Sequence, residues 1–294
     1  MQYTLKNSSG LQAVVESHGG ELVSFKDKAG TEFIWSGDAA YWAGQNPLLF
    51  PIVGTLKEGK ILIGGKTFEM ARHGFARHGE YTPVAQTEDS ITLELTESED
   101  TLAQYPFPFR VLVGQKLEEN GFTTTLTVQN IGSSPMPFCI GAHPAFRCPI
   151  YPGERFEDYN IVFDKPETLP TQLLTPAGVI RDGETEPCLE NKRAYPLRHE
   201  VFERLDTVIL EGLASTGAAL VHKDTGKGLH MAFRGFPVFA LWTMGAKKAP
   251  YICLEPWHGC AAHTEETGRF EDKPHCVTLQ PGEEKQLSYT VTLV

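Results

Sequence analysis

No stretch of the chain approaches about eighteen uninterrupted apolar residues, so no membrane-spanning helix is expected. The N-terminus, MQYTLKNSSGLQ, lacks a basic segment followed by an apolar one; no secretory signal is expected, and the cytoplasm is the expected location. Positive charge is scarce: 26 Lys and Arg stand against 37 Asp and Glu, a formal net charge of −11. Proteins that bind nucleic acid concentrate Lys and Arg to displace counterions, so a nucleic-acid partner is not expected. The six cysteines, Cys139, Cys148, Cys188, Cys253, Cys260 and Cys276, contain no C-x-x-C spacing. That indicates neither a zinc ribbon nor a redox dithiol motif, and reduced, mostly buried thiols are expected. There is no Gly/Ser-rich or charged linker, no low-complexity tract and no repeat of constant period, which favours one domain over residues 1–294. A strand-helix-strand rhythm is also missing, and with it the expectation of a parallel nucleotide-binding sheet.

What the chain does have is apolar residues at 41% and charged residues at 21%, the balance of a polypeptide that buries its own core. Alternating or β-branched runs recur along it: LQAVVES, GELVSFKD, EFIWSG, KILIGGKTFEM, SITLELTES, RVLVGQKLEE, GFTTTLTVQN, TVILEGL, AALVHKD, LHMAFRG, FALWTM and QLSYTVTLV. Turn signals such as GG, NG, DG and PG separate them, which predicts an all-β, antiparallel sandwich or barrel. Only SEDTLAQYP and GDAAYWAGQ read as short helices. The Pro- and charge-rich region from RCPIYPGERFEDYNIVFDKPETLPTQLL to LENKRAYPLRHEVFERL reads as long connections shaping one wall of a binding site.

Three segments break the apolar alternation with groups able to transfer protons. In GAHPAF, Pro144 biases His143 toward extended geometry, where it is either a satisfied core histidine or one that points into a cleft. In RHGFARHGEY, the residues Arg72, His73, Arg77 and His78 crowd a turn around Gly74; the cluster is either a solvated basic turn or a close approach of backbone to ligand. In ICLEPWHG, Glu255 ends an apolar run beside Trp257. A carboxylate there is either at a strand mouth or buried with a partner, because an isolated buried charge is costly. The Trp257 face would suit the apolar C–H face of a sugar. Asp206 in FERLDTVIL reads as a turn or strand-start aspartate.

Taken in order, GGELVSFKDKAGTEFIW, NPLLFPIVGTLKEGK, RHGFAR, YPFPFRVLV, GAHPAF, ERLDTVIL and ICLEPWHG resemble the aldose 1-epimerase (galactose mutarotase) family, in particular its LacX-like bacterial branch. The resemblance spans the chain. It implies one large galactose mutarotase-like β-sandwich with a few short helices, holding a sugar in a cleft, with no cofactor and no metal. It implies interconversion of the α and β anomers of a hexose such as galactose or glucose. By motif, Glu255 stands at the general base, His143 at the general acid, His73 at a second active-site histidine and Asp206 at a sugar-binding aspartate. A rate profile limited by the carboxylate on the acid side and the imidazole on the alkaline side follows from those roles.

The chain departs from the family pattern at Thr55, where many relatives carry an arginine; Arg72 or Arg77 is expected to supply that charge. His78 and His258 also stand where other residue types are usual. Two alternatives therefore remain at this stage: a hexose-6-phosphate 1-epimerase, and a non-catalytic carbohydrate-binding protein on the same fold. A metal site built from His73, His78, His143, His258, His263 and His275 finds no supporting ligand spacing. The expected partner is a small-molecule sugar, with the chain a monomer or homodimer.

Overall fold

The computed structural model describes residues Met1–Val294. Two antiparallel sheets dominate it. The larger has nine strands, in the order Ile180–Pro196, Tyr159–Leu174, Gly217–His222, Gly228–Ala232, Glu284–Leu293, Gly121–Asn130, Phe109–Glu118, Ser90–Thr96 and Thr82–Gln86. The smaller runs Thr207–Glu211, Val238–Trp242, Tyr251–His258, Ile140–Ala142 and Leu48–Leu49, with Ala145–Arg147 also paired to Tyr251–His258. A three-stranded sheet, Gln2–Lys6, Gln12–Glu16 and Leu22–Lys26, covers part of the larger one, and Phe25 packs edge-on against Phe122 at 4.9 Å.

The two large sheets face each other, and the alternation in their strands explains why. In Val238–Trp242, the side chain of Phe239 reaches across to Phe163 of the larger sheet and stacks on Phe233 at 4.3 Å. Phe50 meets Phe109 at 5.2 Å farther along the same core. Each fully buried aromatic or aliphatic side chain here contributes about 1.5–3 kcal/mol relative to exposure.

The smaller sheet is covered on its other face as well. Trp35, Ala145, Ala249, Tyr251 and Cys253 form a second apolar cluster there, joined by Tyr41, Trp42, Trp242 and Met244. Double coverage accounts for the near-continuous apolar character of YICLEPW, since both faces of that strand are buried.

Most of the expected strands are present, and three readings change. GDAAYWAGQ forms a single turn, in which the N–H groups of Tyr41 and Trp42 both donate to the Asp38 carbonyl, and not a helix. EFIWSG makes only isolated bridges, Lys26 to Glu32 and Ile34 to Phe146. The region read as long connections holds the two longest strands, of 16 and 17 residues, followed by the helix His199–Leu205. Much of its proline and charge lies on a hairpin whose outer strand, Ile180–Pro196, is mostly exposed at the sheet edge, and four register shifts take up residues that cannot join a regular ladder. SEDTLAQYP does form a helix, Glu99–Gln104, and Ser98 caps it by accepting from the Thr101 N–H. No helix is long and apolar enough to cross a membrane.

Candidate active site

One strand organises the site. Tyr251–His258 pairs with Ile140–Ala142 in the register Gly141 to Trp257, and with Ala145–Arg147 in the register Ala145 to Cys253. These are one and the same register. His143, at the interruption between the two short strands, therefore falls directly across from Glu255, on the same face of the sheet. His143 Nε2 and Glu255 Oε2 are 3.2 Å apart, and the two residues are 7% and 1% exposed. The Leu254 N–H still donates to the Pro144 carbonyl, so the register continues through the proline.

Period-two alternation delivers the rest of this face. Thr207 and Ile209, Trp242, Glu255 and Trp257, His143 and Pro47 line a cleft of about 680 Å³. Turns close it from above with Gly54, Thr55, Arg72, His73, Arg77, Gly178 and Asp206, joined by Leu174 at the end of its strand. All seven residues singled out from the sequence, Glu255, His143, His73, Asp206, Arg72, Arg77 and Trp257, meet there.

Glu255 is buried with one conventional donor, the indole N–H of Trp257 at 3.2 Å to Oε2. Its Oε1 and the Nδ1 of His143 have no hydrogen-bond partner. Burial pushes the Glu255 carboxyl well above the usual carboxylate range; the Trp257 hydrogen bond opposes this and the nearby Asp206 charge adds to it. Burial, with the charges of Arg77 and Arg72 adding to it, brings the His143 imidazole down to about 3. Both groups are thus driven to their neutral forms, leaving one proton between two facing atoms.

His73 is set by its backbone. Its N–H donates to the Gly54 carbonyl at 2.8 Å, and the Gly54 N–H donates back to His73 Nδ1 at 3.1 Å. With Nδ1 accepting, the ring proton of the neutral imidazole sits on Nε2, which makes that atom a donor. Burial, then the neighbouring His143, keeps His73 well below the ordinary histidine range. The residue adopts φ +68° and is followed by Gly74 at φ +70°, where a Cβ would lie 2.3 Å from the Phe50 carbonyl oxygen. Only glycine fits that turn. Asp206 is a second non-glycine residue at positive φ, +62°, at the C-terminal end of the helix His199–Leu205. Held there, its Oδ2 accepts from the Thr207 hydroxyl at 2.9 Å. Strain of this kind gathers where a side chain must be held in place for function.

At the position where the family arginine is missing, the Arg72 Nε donates to Thr55 Oγ1 at 2.8 Å. Arg72 lies over Gly178, where a Cβ would come 2.2 Å from its Nη2. Beyond Arg72 and Asp206 the cleft continues into an outer pocket that also contains Arg181 and Arg204.

Trp257 lines the cleft, 4% exposed, and serves Glu255 as a donor. Trp42 and Trp242 add two further aromatic walls, with ring centroids 5.0 and 5.5 Å from the His143 imidazole. Neither was singled out from the sequence. Trp242 was foreseeable from the alternation in FALWTM; nothing local marks Trp42.

The other histidines do not converge with His73 and His143. His258 donates through Nδ1 to the His275 carbonyl, His263 pairs with Asp182 at 2.8 Å, and His275 pairs with Glu211 at 2.7 Å. His78 is exposed and accepts from Arg77 Nε at 3.2 Å. The side chains that could jointly ligate a metal are His143, Cys253 and Glu255, whose ligand atoms lie within 4.8 Å of one another. Burial holds the Cys253 thiol well above its ordinary range and so keeps it protonated.

The fold is two facing antiparallel sheets, with a buried histidine–carboxylate pair on the wall of one cleft. The family model for aldose 1-epimerase matches residues 1–292, and the chain belongs to that family. It is 35% identical to the chromosomal LacX protein of Lactococcus lactis subsp. lactis, over the full length of both chains. A galactose mutarotase related enzyme from Lactobacillus acidophilus superposes with a TM-score of 0.93 at 30% identity, covering 100% of this chain and 97% of that one. A galactose mutarotase-like protein from Lactobacillus casei ATCC 334 gives a TM-score of 0.92 at 29% identity, over the whole of both chains. The architecture is accordingly that of the galactose mutarotase-like proteins.

Proposed function

We propose that the protein interconverts the α and β anomers of a free hexose such as galactose or glucose, with Glu255 and His143 as the proton-transferring pair. The observation that carries this reading is their 3.2 Å contact, with an unpartnered atom on each side chain, on the wall of one cleft.

Ring opening needs one base and one acid. The base takes the proton of the anomeric hydroxyl, the bond between C1 and the ring oxygen breaks, and the acid protonates that oxygen to leave an open-chain aldehyde. Rotation about C1–C2 presents the other carbonyl face, and closure returns each proton. With Glu255 as base and His143 as acid, opening converts carboxylate and imidazolium to carboxylic acid and neutral imidazole. The neutral pair is the state that burial favours, so the low-dielectric site stabilises the open-chain stage of the cycle. Direct contact lets the single proton move between the two side chains without solvent. Trp257 orients the carboxylate, and the His73 Nε2–H is a donor for a sugar oxygen. Asp206 at the rim accepts from a sugar hydroxyl.

The pair works while it holds one proton. Its acid limit is then set by the imidazole, at about 3, and its alkaline limit by the raised carboxyl, an exchange of the two limbs expected from the sequence.

A second reading, a hexose 6-phosphate as substrate, is favoured by one observation: Arg72 is anchored to Thr55 by Nε, makes no salt bridge, and leads to a pocket containing two more arginines. Polarimetry on fresh α-galactose, α-glucose and α-glucose 6-phosphate tests both readings, with Glu255→Gln as control. Acceleration by the wild type, lost in the variant, supports epimerisation. A preference for the phosphosugar that Arg72→Met abolishes selects the second reading. Sugar binding by calorimetry without any acceleration would leave a carbohydrate-binding protein and overturn both.

A further inference from the structure

Away from the cleft, two cysteines that are far apart in sequence are brought face to face. Met136–Phe138 pairs with Val277–Leu279, and its last register pair is Phe138 to Val277. The next step along both chains places Cys139 opposite Cys276. Which kind of pair this is follows from the ladder. Pro137 has no N–H, and its carbonyl accepts from the Tyr105 hydroxyl at 2.7 Å, so Pro137 sits at a non-hydrogen-bonded position. Such positions alternate, which makes Cys139 and Cys276 the next one. Their backbones agree: the Cys139 N–H donates to the Pro51 carbonyl at 2.7 Å and the Cys276 N–H to the Lys273 carbonyl at 3.1 Å, neither toward the other.

Non-hydrogen-bonded antiparallel pairs bring Cα atoms to about 4.5 Å and their side chains closest. That spacing lies at the near end of the range of about 4.4–6.8 Å that a disulfide spans. The Cys276 thiol is near enough to influence the ionisation of Cys139, and it donates to the Val277 carbonyl at 3.6 Å. The Cys276 neighbour and burial hold the Cys139 thiol well above its ordinary range, so it is protonated at rest; the buried Lys273 ammonium only partly opposes this. Cys139 is fully buried while Cys276 is half-buried, so an oxidant from solvent meets Cys276 first.

We infer that Cys139 and Cys276 form a reversible peroxide-sensitive dithiol, closed to a disulfide by a hydroperoxide and reopened by a small thiol. The Cys276 sulfur attacks the peroxide O–O bond, giving a sulfenic acid and releasing water or an alcohol. The Cys139 thiol then attacks that sulfur, its proton leaving with the sulfenic oxygen as water, and the S–S bond forms. Two thiols and one hydrogen peroxide thus yield one disulfide and two waters. The closed form ties the start of the Ile140–Ala142 strand, three residues from His143, to the segment that follows Lys273.

The test uses the full chain, treated with small excesses of hydrogen peroxide, alkylated after unfolding and mapped by mass spectrometry without reduction. The expected result is a linked Cys139–Cys276 peptide, with four of the six cysteines still alkylatable and all six restored by dithiothreitol. The link should vanish when oxidation is carried out in concentrated urea, where random pairings replace it. Cys276→Ser should leave Cys139 fully alkylatable, and Cys139→Ser should drive Cys276 on to sulfinic acid. Overoxidised Cys276 with Cys139 still alkylatable in the wild type would overturn the inference. So would six unreacted thiols, or a link from Cys139 to its other thiol neighbour, Cys260.

Discussion

Two glutamates are buried in this molecule, one in each large sheet, and they are treated in opposite ways. Glu167, in the nine-stranded sheet, is 3% exposed and accepts from the Ala214 N–H at 3.1 Å, the Ser215 N–H at 2.7 Å and the Ser215 hydroxyl at 2.6 Å. Glu255, in the six-stranded sheet, is 1% exposed, has one indole donor and one imidazole neighbour, and leaves Oε1 without a partner. A saturated carboxylate is a strut; an undersaturated one keeps capacity for a ligand. Burial alone distinguishes nothing here. The count of donors does.

The sharpest way to break this contrast is to replace each carboxylate by its amide. Glu255→Gln should lower the accelerated mutarotation rate by about a hundred- to ten-thousand-fold, while Glu167→Gln should leave it within about twofold, both by polarimetry. Comparable losses would mean that Glu255 is as structural as Glu167.

The pH profile comes next. Because burial pushes the Glu255 carboxyl up and the His143 imidazole down to about 3, the wild-type rate should pass through the ordinary histidine range near 6.5 without an inflection. It should fall only toward pH 3, where the pair gains a second proton, and again above the raised carboxyl pKa, where it loses its last one. An inflection at pH 6–7 in kcat/KM would show an imidazole titrating freely.

Stability should move in opposite directions for the two amides. Above its ordinary value of 4.5 the Glu255 carboxyl gives up its proton in the unfolded chain while the native fold holds it neutral, so native stability falls as pH rises. Glu255→Gln removes that loss: Tm should rise at pH 7, and the gain should disappear near pH 4.5. Glu167→Gln turns an amide N–H toward backbone donors and should cost about 1–3 kcal/mol, with a fall in Tm of a few degrees. Differential scanning calorimetry at the two pH values reads both.

How much of this was legible in the sequence differs by feature. The strand runs and the capped helix at Ser98 were visible because alternation and capping are local. The motif residues were visible as chemistry out of place in apolar runs. Their convergence was not, because GAHPAF and ICLEPWHG meet through a strand register that no local pattern specifies. The hairpin Tyr159–Leu174 with Ile180–Pro196 was hidden for a different reason. An exposed edge with bulges tolerates proline and charge, and so loses the alternation that marks a strand. The protonation of the His143–Glu255 pair depends on burial from both faces, and the role of Trp257 depends on a single indole direction; neither is encoded in spacing.

The unbroken register through Pro144 has one more consequence. The reacting pair is a property of parity: His143 and Glu255 face each other because each occupies the same phase of its strand, as do Thr207, Ile209, Trp242 and Pro47 along the cleft. The rim groups Arg72, His73, Arg77, Gly178 and Asp206 ride on turns that carry no such phase. Chemistry and selectivity are therefore written in separate alphabets. Turns can lengthen, shorten or exchange their charges to admit a different sugar, while one residue inserted between Cys253 and Glu255 rotates the carboxylate into the core and ends the reaction.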